Sequence, residues 1–109
     1  MESMTRDEYF QHHERLCREA LELSKKKNHD YAGKGDPFAN FSRVEAMGIC
    51  STEKGFLVRL TDKMSRLSTF CEQGEFKVKD ETFHDTIIDV VNYAILMSAY
   101  VEGRKRRDG

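Results

Sequence analysis

Apolar residues recur along most of the chain at the three-and-four spacing of helices, about 3.6 residues per turn. The first such stretch is Phe10, His13, Leu16, Cys17, Ala20, Leu21 and Ser24, which predicts a helix from about Thr5 to Asn28. Thr5-Arg6-Asp7-Glu8 has the form of a capping box at its start. Lys25-Lys26-Lys27 at its end complements the negative pole of the helix dipole. A second stripe, Leu57, Leu60, Met64, Leu67 and Cys71, predicts a helix from Thr52 to Gln73, with Phe56 and Phe70 widening its apolar face and Gly74 as the stop. Arg59, Asp62 and Arg66 fall on the opposite face and Lys63 near the boundary. A third helix is expected from about Glu81 to Glu102, N-capped by Asp80 and closed by Gly103, ahead of a frayed basic tail, Arg104 to Gly109.

Between the first two helices, Gly33, Gly35, Asp36 and Pro37 make a turn-rich connection. A short helical turn is expected near Phe41 to Met47. No segment alternates at period two for long enough to predict a strand. The fold class is therefore all-α: one domain over residues 1–109, with three main helices plus a short one and a core from about 5 to 103. The third helix is apolar over more than half its circumference, more than a lone three-helix unit covers. Homo-oligomerisation, as a homodimer or homotetramer, is expected to complete the bundle.

That third helix also carries the sharpest chemical signal. Glu81, Asp85, Asp89 and Asn92 lie on one polar face, with Tyr93 beside it. Asp89 sits between Ile88 and Val90, in a helix apolar enough to be buried. A buried carboxylate is costly unless a cation neutralises it. Either a divalent metal or a positively charged group is expected beside it. If the second helix faces the same cleft, Asp62 becomes a further metal ligand, and Lys63 and Arg66 bind phosphate. On this reading, replacing Asp89 by asparagine abolishes ligand binding and leaves the fold intact. A third cluster, Lys27, His29, Asp30 and Tyr31 with Phe38, Asn40 and Phe41, combines aromatic and amide groups suited to enclosing a base. Phe38 and Phe41 serve equally well as anchors of the loop.

Composition narrows the field. A formal net charge of −1 favours neither nucleic acid nor membrane. No apolar run approaches the roughly 20 residues that span a bilayer, and the polar start MESMTRDEYF predicts no signal peptide. Cys17, Cys50 and Cys71 show no metal spacing. They predict a reducing cytoplasm, with Cys17 and Cys71 filling the core. There is no Walker loop, GxGxxG or nucleophile elbow.

The order KKNHDYAGKGDPFANF, LTDKMSRL and KDETFHDTIIDVVNYAIL resembles the phage-type nucleotide modification associated domains. These in turn resemble the all-α nucleoside triphosphate pyrophosphatases, the MazG and dimeric dUTPase superfamily. The likeness covers about residues 20 to 100. It implies helical bundles in dimers or tetramers that cleave a nucleoside triphosphate to monophosphate and pyrophosphate with Mg²⁺ (or Mn²⁺), in a bacterial or phage-infected host cytoplasm. Asp85 and Asp89 would match the acids of the superfamily's later helix, and Asp62 one acid of its earlier helix. Glu81 would orient the attacking water, and Asn92 and Tyr93 would join the substrate site. The chain departs from the superfamily where the earlier helix carries E-E-x-x-E: Arg59, Asp62, Lys63 and Arg66 stand there instead. That departure opens the alternative of a module that binds nucleotides without cleaving them. A second alternative is an interaction protein whose polar stripe sets oligomer register.

Overall fold

A computed structural model describes residues 3–31, 35–74 and 82–108, apart from the side chains of 28–31. Among the described residues there are four helices: α1 (Arg6–Tyr31), α2 (Ala39–Ala46), α3 (Thr52–Gln73) and α4 (Phe83–Asp108). No strand occurs among the described residues. Among them, too, no helix is long and apolar enough to cross a membrane.

Local chemistry sets the helix ends. At α1 the capping box forms: Glu8 N–H donates to Thr5 Oγ1 at 3.2 Å, and Thr5 N–H donates to Glu8 Oε1 at 3.1 Å. Ser51 caps α3 by accepting from Lys54 N–H at 3.2 Å. Gly74 ends α3 at φ 75°, a left-handed conformation that glycine adopts without strain. At α4 the sequence reading is corrected. The helix begins at Phe83 with a second capping box, in which Asp85 N–H donates to Thr82 Oγ1 at 3.0 Å and Thr82 N–H to Asp85 Oδ2 at 3.2 Å. Asp80 lies outside the described residues. α4 also runs through Gly103 to Asp108 rather than stopping. Arg104 pairs with Glu53 of α3 and lies 5.9 Å from the Tyr100 ring, while Lys105, Arg106 and Arg107 suit the dipole of a last turn.

α4 is the central element: α1 and α3 both pack on it, and α2 packs on α3. α3 and α4 run antiparallel, since Glu53 meets Arg104 at one end and Phe70 stacks on Phe83 at the other, ring centroids 4.4 Å apart. α1 and α4 run in the same sense, because Glu19 meets His84 and Lys27 meets Asp89. α2 lies close against α3 at Gly55, where a Cβ would stand 3.1 Å from Val44 Cγ2.

Among the described residues the core is small: Ala20, Phe41, Phe56 and Ile88 are the buried apolar side chains. Phe56 stacks on Phe41 with centroids 4.3 Å apart, and Tyr93 meets Phe41 edge-on at 5.9 Å. The expected core stripes are only partly covered. Phe10, Leu21, Leu57 and Met64 are all at least half exposed, and Cys17 and Cys71 are exposed. α3 packs through a rotated face, Thr52, Gly55, Phe56 and Lys63, because its aromatic flank and not its leucine line meets α2 and α4.

Phe56→Ala should cost about 3–5 kcal/mol, as for truncating a fully buried aromatic, read by thermal or urea denaturation. Thr82→Ala should cost about 1 kcal/mol through loss of the α4 cap.

Candidate functional site

Asp89 is where three helices meet. It is 9% exposed. Its Oδ1 accepts from Lys27 Nζ of α1 at 3.0 Å, and its Oδ2 pairs with Lys63 Nζ of α3, also at 3.0 Å. The Lys63 side chain is nearly as buried as that of Asp89, while that of Lys27 is about half exposed. Sequence placed Asp89 in a buried setting with a cation at hand. The described cations are ammonium groups from the flanking helices. Lys63, expected near the edge of the packing face, lies inside it, reached because α3 turns its aromatic flank inward.

Beside this junction lies a cleft of about 220 Å³. Its lining combines the charged Lys27, Arg59 and Asp89 and the polar Ser24, Asn40 and Asn92 with Pro37, Phe41, Tyr93 and Leu96. Of the side chains that sequence assigned to a ligand, the cleft thus gathers Lys27, Asn40, Phe41, Asp89, Asn92 and Tyr93. Arg59 was read as an outer-face charge and, with Lys63 and Arg66, as added positive charge where the superfamily carries acids, but was not assigned to the ligand. It stands one helical turn before Lys63, and that spacing was the available signal that the two share a flank of α3. Arg59 makes no ion pair among the described residues. Asn92 Nδ2 is buried and has no hydrogen-bond partner among them. A buried donor without an acceptor is uncommon and costs free energy unless a ligand or water supplies one.

The other assigned residues have structural engagements. Asp85 is spent on the α4 cap; the Thr82 backbone N–H, then the Thr82 hydroxyl, hold its carboxyl below the usual carboxylate range. Asp62 is exposed and lies 3.6 Å from Arg66 one turn on. Phe38 packs edge-on against Tyr100 at 5.5 Å. Phe41, though it borders the cleft, is held in the core by Phe56, so the loop-anchor reading fits it. His29, Asp30, Tyr31 and Glu81 fall outside the described side chains. Among the described residues, no three acid, histidine or cysteine side chains gather as a cluster able to hold a metal ion. Both Asp89 oxygens already face ammonium groups, so the donor set as it stands does not fit Mg²⁺.

Comparison with protein-family models, with curated proteins and with solved structures returned no match.

Asp89→Asn should destabilise the fold by about 3 kcal/mol, because Lys63 is left buried without this counterion; the exposed Lys27 adds little. This reverses the expectation that the fold would be indifferent, and a melting curve measures it. Asp85 gives a pH signature. Its pKa is lowered on folding, so its contribution is present above the ordinary carboxylate pKa and is lost as pH falls through the folded value. Asp85→Asn should therefore remove part of the stability lost on acidification below about pH 4, measured as melting temperature against pH.

Proposed function

We propose that this protein binds nucleotides as a homo-oligomer and holds them without a resident metal. The observation that carries the reading is the cleft itself. Lys27 and Arg59 supply cations to a phosphate, and Lys63 stands behind them on Asp89. Tyr93 offers an aromatic surface, and the unpartnered Asn92 Nδ2 offers a donor to a base or sugar oxygen. Asp89 keeps the cations in place when no ligand is present, and an arriving phosphate competes with it for the half-exposed Lys27. At about 220 Å³ the cleft is smaller than the roughly 300–1,000 Å³ of pockets that enclose a drug-sized ligand. It suits part of a nucleotide, with the distal phosphates at the mouth.

The Mg²⁺- or Mn²⁺-dependent pyrophosphohydrolase implied by the resemblance is the second reading. It is favoured by one feature, the buried carboxylate of Asp89 at the cleft wall. It requires the lysines to leave Asp89 for the substrate and further acids to join it.

The test is calorimetric titration with ATP, GTP, CTP, UTP and their deoxy forms, in EDTA and then in Mg²⁺, with pyrophosphate detection alongside. Binding that persists in EDTA, without pyrophosphate release, is expected. Arg59→Ala should weaken it about tenfold or more, in line with the loss of one charged hydrogen bond to phosphate. Metal-dependent turnover would replace this reading with the hydrolase, and no binding to any of the panel would remove both.

A further inference from the structure

The strongest unabsorbed feature is the outward line of α3. Leu57, Met64 and Cys71 stand seven residues apart, with Leu60 and Leu67 between them. Together these five make an a–d–a–d–a heptad seam. Within the protomer the a positions are open, with Leu57 50% and Met64 56% exposed and Cys71 exposed, while Leu60 and Leu67 are half-buried. The protomer is also too open for its mass. It exposes 8455 Å², against about 6,200 Å² for a compact monomer of 12.7 kDa. Its radius of gyration is 16.2 Å, against about 13 Å for a compact domain of this length. The excess surface, roughly 2,000 Å² by that scaling, is more than the ~800 Å² each partner contributes to a standard stable interface.

We propose that α3 pairs with α3 of a second copy, antiparallel, about a two-fold axis close to Met64. This rests on the homo-oligomer reading and gives it a surface and a direction. Charge selects the direction. Lys54 and Glu72 are exposed on the same flank of α3, at opposite ends of the seam, and neither has an ion-pair partner among the described residues. An antiparallel pair brings Lys54 of each copy alongside Glu72 of the other on the same side of the seam, whereas a parallel pair puts the two copies of this flank on opposite sides of the seam and makes no such pairing. The apolar line is also nearly self-complementary about Met64, with Leu57 at one end and Cys71 at the other. None of Leu57, Leu60, Met64, Leu67 and Cys71 lines the cleft, so both protomers keep their clefts.

The experiment is sedimentation of the full chain, followed by single-cysteine cross-linking. In a background of Cys17→Ser and Cys50→Ser, three variants are oxidised: native Cys71 alone, Met64→Cys with Cys71→Ser, and Leu57→Cys with Cys71→Ser. The antiparallel seam predicts that only Met64→Cys forms a disulfide dimer. Residues 57 and 71 sit about seven positions from the axis, which sets their two copies roughly 20 Å apart at 1.5 Å rise per residue. Lys54→Glu should weaken the dimer several-fold and Glu72→Lys added to it should restore affinity. A dimer in which all three positions cross-link is parallel and overturns the proposal. A dimer in which none does, and which the charge swap leaves unmoved, uses another surface and overturns it while sparing the oligomer. A monomer at micromolar concentration removes both, and leaves the seam to a different protein.

Discussion

The carboxylate of Asp89, held between Lys27 and Lys63, is the interaction on which the rest of the structure depends. α1 and α3 both lie against α4, and Asp89 joins them through a single side chain. The junction is expensive. A carboxylate and the ammonium group of Lys63 are both withdrawn from water, and an apolar replacement of the same shape would serve stability as well or better. What stands next to it is a cleft whose lining joins Lys27, Arg59 and Asp89 with Phe41 and Tyr93. On the proposed nucleotide-binding reading, the same arrangement holds the lysines in place before an anion arrives, so they need not be ordered on binding.

Two packing systems support that arrangement. The Phe41–Phe56 stack and the edge of Tyr93 tie α2, α3 and α4 together. The Arg104–Glu53 pair and the Phe70–Phe83 stack hold the two ends of the α3–α4 pair. The core between them is small, so the chain relies on these local contacts and on whatever covers its outward apolar faces. The proposed antiparallel seam along α3 would answer that need with residues that do not line the cleft. Binding and assembly, as proposed, would then use different surfaces of the same helix.

Much of this was legible in the residues, and the parts that were not share one cause. Helix existence and most ends follow from local chemistry: the Thr5–Glu8 box, Ser51 ahead of α3 and Gly74 after it act within a few residues of themselves. The start of α4 was misplaced because Asp80 and Thr82 are both competent caps, and only Thr82 stands three residues before an acid that can reciprocate, Asp85. The stop at Gly103 failed because a glycine is only a weak breaker when Arg104 has a partner on another helix. Periodicity reports which residues are apolar, not which neighbour covers them. Leu57, Met64 and Cys71 of α3 were thus read as core although they are exposed, and Lys63 was read as peripheral although it faces in. In the site, the burial of Asp89 and the role of a cation beside it were readable from one sequence. The source of that cation was not, since Lys27 and Lys63 lie 62 and 26 residues away and only the fold brings them together.

A double-mutant cycle between Asp89 and Lys63 tests the central claim most directly. Asp89→Asn, Lys63→Met and the double variant would be unfolded in urea under identical conditions. If the pair organises the junction, each single variant is destabilised and the double variant loses less than their sum, with a coupling of at least about 1 kcal/mol. Additive losses, within about 0.5 kcal/mol, would mean that Asp89 and Lys63 act independently and would contradict the account.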